Sequence, residues 1–279
     1  MQDIFLCSIC NVSSGACKED CKYCTQSAKY KIDIETFREK SVEKVMDEAK
    51  IAFNNGALGF CLVTAGRSLT SKKTEYISKC ASLIKKENLG LHLIACCGSS
   101  DRESLKELKK NGIDSYNHNL ETSQEYFKNI CTTHTWEERY LTCEYSLEAE
   151  LGLCAGGIMG IGESVEDRKS FYQSLKKLSP HTSPINFFIP HNNLPIKQEI
   201  MQKKEAIECI KLAKSYLPNS RLMMAGGREV VFGNDQKEMF EAGINAIVLG
   251  DYLTSDGKNP VDDIALIRSY GYPLASACH

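Results

Sequence analysis

The chain has 279 residues, 42% hydrophobic and 25% charged, with a net charge of −2. That is enough apolar matter for one large α/β domain or two smaller ones, and near-neutral charge gives no reason to expect nucleic acid or an anionic membrane as partner. The opening MQDIFLCSICNV lacks the basic flank and long apolar run of a signal peptide, and no stretch approaches a membrane span, so a cytoplasmic location is expected.

The predicted elements alternate along the chain. FLCSICNV (5–12) reads as a first strand, followed by the cysteine-rich loop GACKEDCKYC (15–24). In SVEKVMDEAKIAFNNG, Val42, Val45, Met46, Ala49, Ala52 and Phe53 share one helical face, and Asn54-Asn55-Gly56 ends it. Further strands are expected at LGFCLVTA (58–65), GLHLIACC (90–97), DSYNHNLE (114–121), LCAGGIMG (153–160), PINFFIP (184–190), SRLMMAGG (220–227) and NAIVLGD (245–251). DSYNHNLE is too polar for such a run and is included for its place in the repeat. Helix-like stretches separate the strands, and Thr135 with Glu138 reads as a capping box opening one of them.

Eight strands alternating with helices form either a doubly wound sheet or a (βα)8 barrel. The count of eight favours the barrel. So does the placing of cysteines, asparagines and glycines within or just after strands, where barrel enzymes assemble their sites. The alternation never breaks, so a single domain over 1–279 is expected.

Fourteen cysteines are many for this length, and in a cytoplasmic chain they suggest metal or redox chemistry over disulfides. Cys80, Cys143 and Cys209 lie in helix-like stretches and are expected to pack as small apolar residues. Cys17, Cys21 and Cys24 are different, spaced C-x3-C-x2-C in the first βα loop. A structural zinc site takes four protein ligands, and the nearest histidine in sequence is His92. Three thiolates around an iron–sulfur cubane instead leave one iron to a small molecule. A non-catalytic zinc barrel stays as the alternative from another class, separable by colour.

With Tyr23 before the last cysteine, the loop resembles the signature of the radical S-adenosylmethionine superfamily. GACKEDCKYC, YNHNLETS (116–123), TTHTWEER (132–139), GGIMGIGES (156–164), PINFFIP and AGGRE (225–229) occur in order. Together they resemble the biotin synthase family from about residue 5 to residue 270. The resemblance implies a sulfurtransferase that converts dethiobiotin to biotin. In that chemistry a deoxyadenosyl radical abstracts hydrogen at C9 and then C6, and an auxiliary iron–sulfur cluster donates the sulfur.

By motif position, the resemblance puts a 4Fe–4S cluster on Cys17, Cys21 and Cys24, with S-adenosylmethionine near Tyr23, Asn119, Glu121, Arg139, Gly156, Gly157 and Ile158. Glu121 stands where the family often has an aspartate. Arg139 is expected to suit a carboxylate, and the glycines to let adenine approach backbone. Dethiobiotin contacts are implied for Asn117, Asn119, Asn186, Thr254 and Ser255. Asn117 and Asn119, at period two on one strand, are expected to face the interior together. A reduced flavodoxin or ferredoxin and a homodimer are implied as well.

The auxiliary cluster is where the chain departs from the family. Its commonest form is 2Fe–2S, held by three cysteines and an arginine. Cys61 and Cys154 match two of these, but the third cysteine falls on Ile94 and the arginine on Met223. Cys96, two residues beyond Ile94, and Cys131 are expected to compensate, with Cys10 and Cys97 as further candidates. A set of Cys61, Cys96, Cys131 and Cys154 would favour a 4Fe-type cluster. An alignment slip that brings Arg221 inward as ligand is the other possibility. Hydrogenase-cofactor maturases and methylornithine synthases are the nearest alternatives within the superfamily, and neither needs cysteines at the positions of Cys61 and Cys154.

Overall fold

The computed structural model describes residues 2–278. Its strands are β1 (Phe5–Ser13), β2 (Gly59–Thr64), β3 (His92–Cys96), β4 (Ser115–Asn117), β5 (Gly152–Cys154), β6 (Gly157–Met159), β7 (Thr182–Phe187), β8 (Arg221–Met224) and β9 (Ala246–Leu249). All pairings are parallel. They run from β5 through β4, β3, β2 and β1 to β9, β8 and β7, and β7 pairs with both β6 and β5. The ring therefore closes as a (βα)8 barrel, with β5 and β6 sharing one stave.

The helices are α1 (Val42–Asn54), α2 (Ser71–Lys86), α3 (Arg102–Lys110), α4 (Gln124–Phe127), α5 (Trp136–Glu148), α6 (Val165–Leu178), α7 (Lys203–Tyr216), α8 (Arg228–Phe232), α9 (Lys237–Glu241) and α10 (Pro260–Ser269). Side chains of Ser41, Thr70, Asp101 and Ser123 cap the first four by accepting a first-turn N–H. Each such cap is worth about 1 kcal/mol. Thr135 and Glu138 form the expected capping box at α5. On α1, Val45, Ala49 and Ala52 are buried as expected, but Phe53 is 45% exposed because it turns past the edge of that face.

Two of the expected strands change shape. DSYNHNLE yields only Ser115–Asn117; beyond it the chain turns, and Glu121 takes a left-handed φ of 69°. LCAGGIMG breaks at Ala155–Gly156 into β5 and β6. There the Gly156 carbonyl turns from the ladder to accept from Leu120 and Glu121 N–H at 3.0 and 3.2 Å.

Period-two alternation splits the strands' side chains between two cores. Cys10, Val12, Leu62, Leu93 and Cys97 face the helices. Cys7, Cys61, Ile94, Cys154, Met223 and Val248 pack inside the barrel, each the third residue of its strand. The C-terminal tail crosses the end of the barrel where the strands begin. Leu274 bridges to Ile4, and Ala275 N–H donates to Ile4 O at 3.0 Å.

Candidate active site

The three-cysteine loop leaves β1 at its C-terminal end. Gly15, at φ 74°, starts it, and a Cβ there would lie 2.5 Å from Thr36 Oγ1. The loop is closed by Cys17 N–H on Gln26 O at 3.2 Å and Ala28 N–H on Cys17 O at 2.7 Å. Burial pushes the Cys24 thiol up to about 11, with Cys17 close enough to add to the rise.

A second segment, 130–134, locks this loop in place. Lys22 N–H donates to Ile130 O at 2.8 Å, and Thr132 N–H to Asp20 Oδ1 at 2.9 Å. Glu19 Oε2 lies 2.6 Å from both Thr133 Oγ1 and His134 Nδ1. Burial alone would raise the Asp20 carboxyl; donation from Thr132, Cys131 and Thr133 overrides it and holds the group far below the usual carboxylate range. Glu19, Asp20, Thr133 and His134 were not singled out by sequence reasoning, although TTHT lies inside a quoted motif.

Cys131 lies beside the same loop. Its Sγ is 3.8 Å from Cys21 Sγ and 3.3 Å from His134 Nδ1, so it belongs to the three-cysteine loop. Cys21, Cys131 and His134 bring their ligand atoms within 4.8 Å of one another. Donation from the Cys21 thiol, with help from His134, brings Cys131 down to about 4.

Next to this loop, Arg139 from the first turn of α5 reaches back under the β4 turn. Its Nη2 is 3.0 Å from Glu121 Oε1, its Nε donates to Asn119 O at 2.5 Å, and its Nη1 meets His134 Nε2 at 3.2 Å. The guanidinium thus holds Glu121, an internal carboxylate, rather than standing open for a ligand's. Burial raises the Glu121 carboxyl and Arg139 opposes that rise. Tyr23 is buried beside the same carboxylate, and its phenol is raised by burial and by Glu121.

Asn117 and Asn119 do not share a strand face, since β4 ends at Asn117. Asn119 Oδ1 accepts from Gly156 N–H at 3.1 Å. Glycine at 156 and 157 answers to the protein's own backbone. A Cβ at Gly156 would lie 1.9 Å from Pro184 O, and one at Gly157 would lie 2.4 Å from Glu121 O. Ile158 N–H donates to Glu121 O at 2.8 Å, fixing that turn. Asn186 braces two strands, donating to Gly157 O at 3.2 Å and accepting from Gly226 N–H at 3.0 Å. Thr254 and Ser255 are exposed, in the loop after β9, and Thr254 Oγ1 lies 2.8 Å from Thr25 Oγ1 of the three-cysteine loop.

Below this, Ile94 and Met223 lie in the same interior cluster as Cys61 and Cys154, as the motif alignment requires. Cys96 stands one inward step nearer the mouth and is half-buried; burial pushes its thiol up to about 12, and its charged neighbours are Glu121 and Arg139. Cys10 and Cys97 face the helices, which removes both from the candidates. Arg221 does turn inward, stacked 4.0 Å over the Phe5 ring. Cys80, Cys143 and Cys209 are buried in the packing core, as expected.

Comparison with known proteins agrees with this layout. The Radical SAM superfamily profile matches residues 11–175, and the Biotin and Thiamin Synthesis associated domain matches 184–273. A biotin synthase of Wolinella succinogenes is 63% identical over the full length of both chains. The chain belongs to the biotin synthase family. The Helicobacter hepaticus biotin synthase is 64% identical, over 99% of this chain and 98% of its own. A methylornithine synthase structure superposes with a TM-score of 0.80, covering 98% of this chain and 84% of that one at 17% identity. An FeFe-hydrogenase maturase from Carboxydothermus hydrogenoformans gives 0.82, covering 97% and 67% at 18% identity. Those two show the fold alone.

The residues present suit the groups this family implies. Three thiols share one loop, and Glu121 Oε2 and Asn117 Oδ1 are buried with no hydrogen-bond partner among the described residues. Orphaned buried acceptors are costly unless a ligand satisfies them, and hydroxyl and ureido N–H groups are donors of the kind these atoms lack.

Proposed function

We propose that the chain is a radical S-adenosylmethionine sulfurtransferase converting dethiobiotin to biotin, within one barrel domain. The observation that carries this is what the barrel brings together. A three-thiol loop leaves the C-terminal end of β1, the unpartnered Asn117 and Glu121 acceptors lie at and just after the end of β4, and the buried thiol of Cys154 stands opposite Asn117 in the ladder, in one interior cluster with Cys61. Cys17, Cys21 and Cys24 would hold the 4Fe–4S cluster. Tyr23, Asn119, Glu121, Arg139, Gly157 and Ile158 surround the place for S-adenosylmethionine.

When bound, the first cluster and S-adenosylmethionine supply one-electron cleavage and hydrogen abstraction at C9 and C6, and an auxiliary cluster supplies the sulfide. The chain's own part is orientation and exclusion of water. Hydrogen transfer requires near contact, so the side chains that fix the substrate decide the rate. Asn117 and Asn186 offer amides to the ureido ring, and Asn186 is held rigid by its two backbone bonds. Thr254 and Ser255 offer hydroxyls to the substrate carboxylate, and Thr254 is tied to the cysteine loop through Thr25. Arg139 keeps Glu121 aimed and opposes the rise that burial imposes on its carboxyl.

The two family profiles meet inside one ring closed by β1 and β9, which supports a single domain. Among the described residues no helix is long and apolar enough to cross a membrane. This reading takes a reduced flavodoxin or ferredoxin as electron donor, a homodimer, and a cytoplasmic location. Ile94 has no donor atom, so the usual 2Fe–2S ligand set is incomplete and a 4Fe-type auxiliary cluster is favoured.

The test is anaerobic turnover of the reconstituted protein with S-adenosylmethionine and a reductant. 5′-Deoxyadenosine should form faster when dethiobiotin is added, and biotin should appear with it. Cleavage indifferent to dethiobiotin, with no biotin formed, would refute the assignment.

A further inference from the structure

With Cys131 drawn to the mouth of the barrel, the auxiliary site lacks ligands unless others exist below. The inward-facing side chains of the strands form one interior cluster, and three of its buried members are cysteines: Cys7 on β1, Cys61 on β2 and Cys154 on β5. All three are at most 5% exposed. Space for the Cys7 thiol is made by Gly59, where a Cβ would stand 3.1 Å from Cys7 Sγ. Cys278 enters the same cluster from beneath, carried by the tail that docks on Ile4. Its Sγ lies 3.8 Å from Arg221 Nη1, and it is an electrostatic neighbour of both Cys7 and Cys154. Simple packing explains one buried thiol at a time. It does not explain Cys7, Cys61, Cys154 and Cys278 meeting in one cluster beside a guanidinium, with Cys96 packed on the edge of the same cluster beside Cys61.

We propose that Cys7 and Cys278 join Cys61 and Cys154 as the four thiolate ligands of the auxiliary iron–sulfur cluster, on the floor of the barrel. The proposal rests on the function read above and replaces Cys96 and Cys131 in its ligand set. Four cysteines are the usual complement for a 4Fe cluster. Arg221, next to Cys278, then supplies compensating positive charge instead of an iron ligand. Three ligands come from rigid strands and one from a terminal tail, so the fourth corner is the one through which iron and sulfide can be replaced.

The experiment uses the full chain with Cys17, Cys21 and Cys24 changed to alanine, reconstituted anaerobically with iron-57 and sulfide. Iron, sulfide and Mössbauer spectra then report the inner cluster alone. Cys7→Ala and Cys278→Ala, each added to this background, should lower inner iron roughly twofold or more and change the spectrum, as loss of a ligand does. Cys96→Ala and Cys131→Ala should leave both unchanged. In the otherwise native chain, Cys7→Ala and Cys278→Ala should still load the first cluster, which shows that they fold. Full inner iron with an unaltered spectrum in either the Cys7 or the Cys278 variant overturns the proposal, as does loss of iron in the Cys96 variant. A 2Fe–2S spectrum that shifts on Arg221→Lys also overturns it. If the triple variant binds no iron at all, the auxiliary cluster itself is refuted and the function read above falls first.

Discussion

Glu121 meets two demands at once. Its Oε1 pairs with Arg139 Nη2 at 3.0 Å, while its Oε2 is buried without a partner among the described residues. The left-handed φ of 69° is what turns its side chain under the cysteine loop, a conformation that non-glycine residues adopt only when their surroundings enforce it. Here Gly157 enforces it, since Ile158 N–H holds the Glu121 carbonyl over a glycine with no Cβ. Glu121→Gln keeps the shape but removes the charge that Arg139 needs and one acceptor for the ligand. S-Adenosylmethionine binding to the reconstituted protein should weaken about tenfold, equivalent to about 1.4 kcal/mol. Equilibrium dialysis measures this directly, and an unchanged dissociation constant would remove Glu121 from the binding site. The motif pointed to Glu121, but its pairing with Arg139 was not legible, because that pair depends on a turn that period-two reasoning extends as strand.

At the scale of elements, the broken stave between β5 and β6 organises the mouth of the barrel. The break frees the Gly156 carbonyl for the turn after β4, and lets Gly156 lie against Pro184 of β7. Gly156→Ala places a methyl 1.9 Å from a backbone oxygen, an approach that neither strand can relieve by rotating a side chain. The cost should reach about 4 kcal/mol, the exceptional end for single substitutions, and lower the melting temperature by about 10 °C. Circular dichroism on the metal-free protein checks this, and a shift within a degree or two would show that β5, β6 and β7 can slide. Seven of the eight runs were legible because a strand buried on both faces leaves a continuous apolar stretch, and DSYNHNLE only through its place in the repeat. The break was not legible, because two adjacent glycines read equally well as a ligand's approach or as a backbone's. Cys7 carried a signal in its period-two spacing from Phe5 and Ile9, which also face inward. Cys278 carried none, since the docking of a tail depends on the finished barrel. The contact of Cys131 with Cys21 was not legible for a similar reason: it joins residues far apart in sequence.

Across the whole molecule, the end of the barrel where the strands begin bears on stability through one histidine. His92 begins β3 there, its Nε2 2.7 Å from Ser115 Oγ, with its side chain 24% exposed. Burial pushes its pKa down to about 4 from 6.5; Asp114 opposes the fall, while Lys85, His181 and Arg221 deepen it. The folded chain therefore refuses a proton that the unfolded chain accepts throughout the window between those values. In that window the unfolded state binds more protons, so stability rises with pH and is lost as pH falls from 6.5 toward 4. The full difference amounts to about 3 kcal/mol, from 1.36 kcal/mol for each unit. His92→Gln keeps an amide able to reach Ser115 and removes the titration. Urea midpoints of the metal-free protein at neutral pH and near pH 4.5 should then differ less in the variant than in the parent. Some slope will persist, because burial holds His118 well below its ordinary value too. An equal acid loss in both proteins would show that His92 is solvated in the folded state, and that the barrel floor is open to water where the tail crosses it.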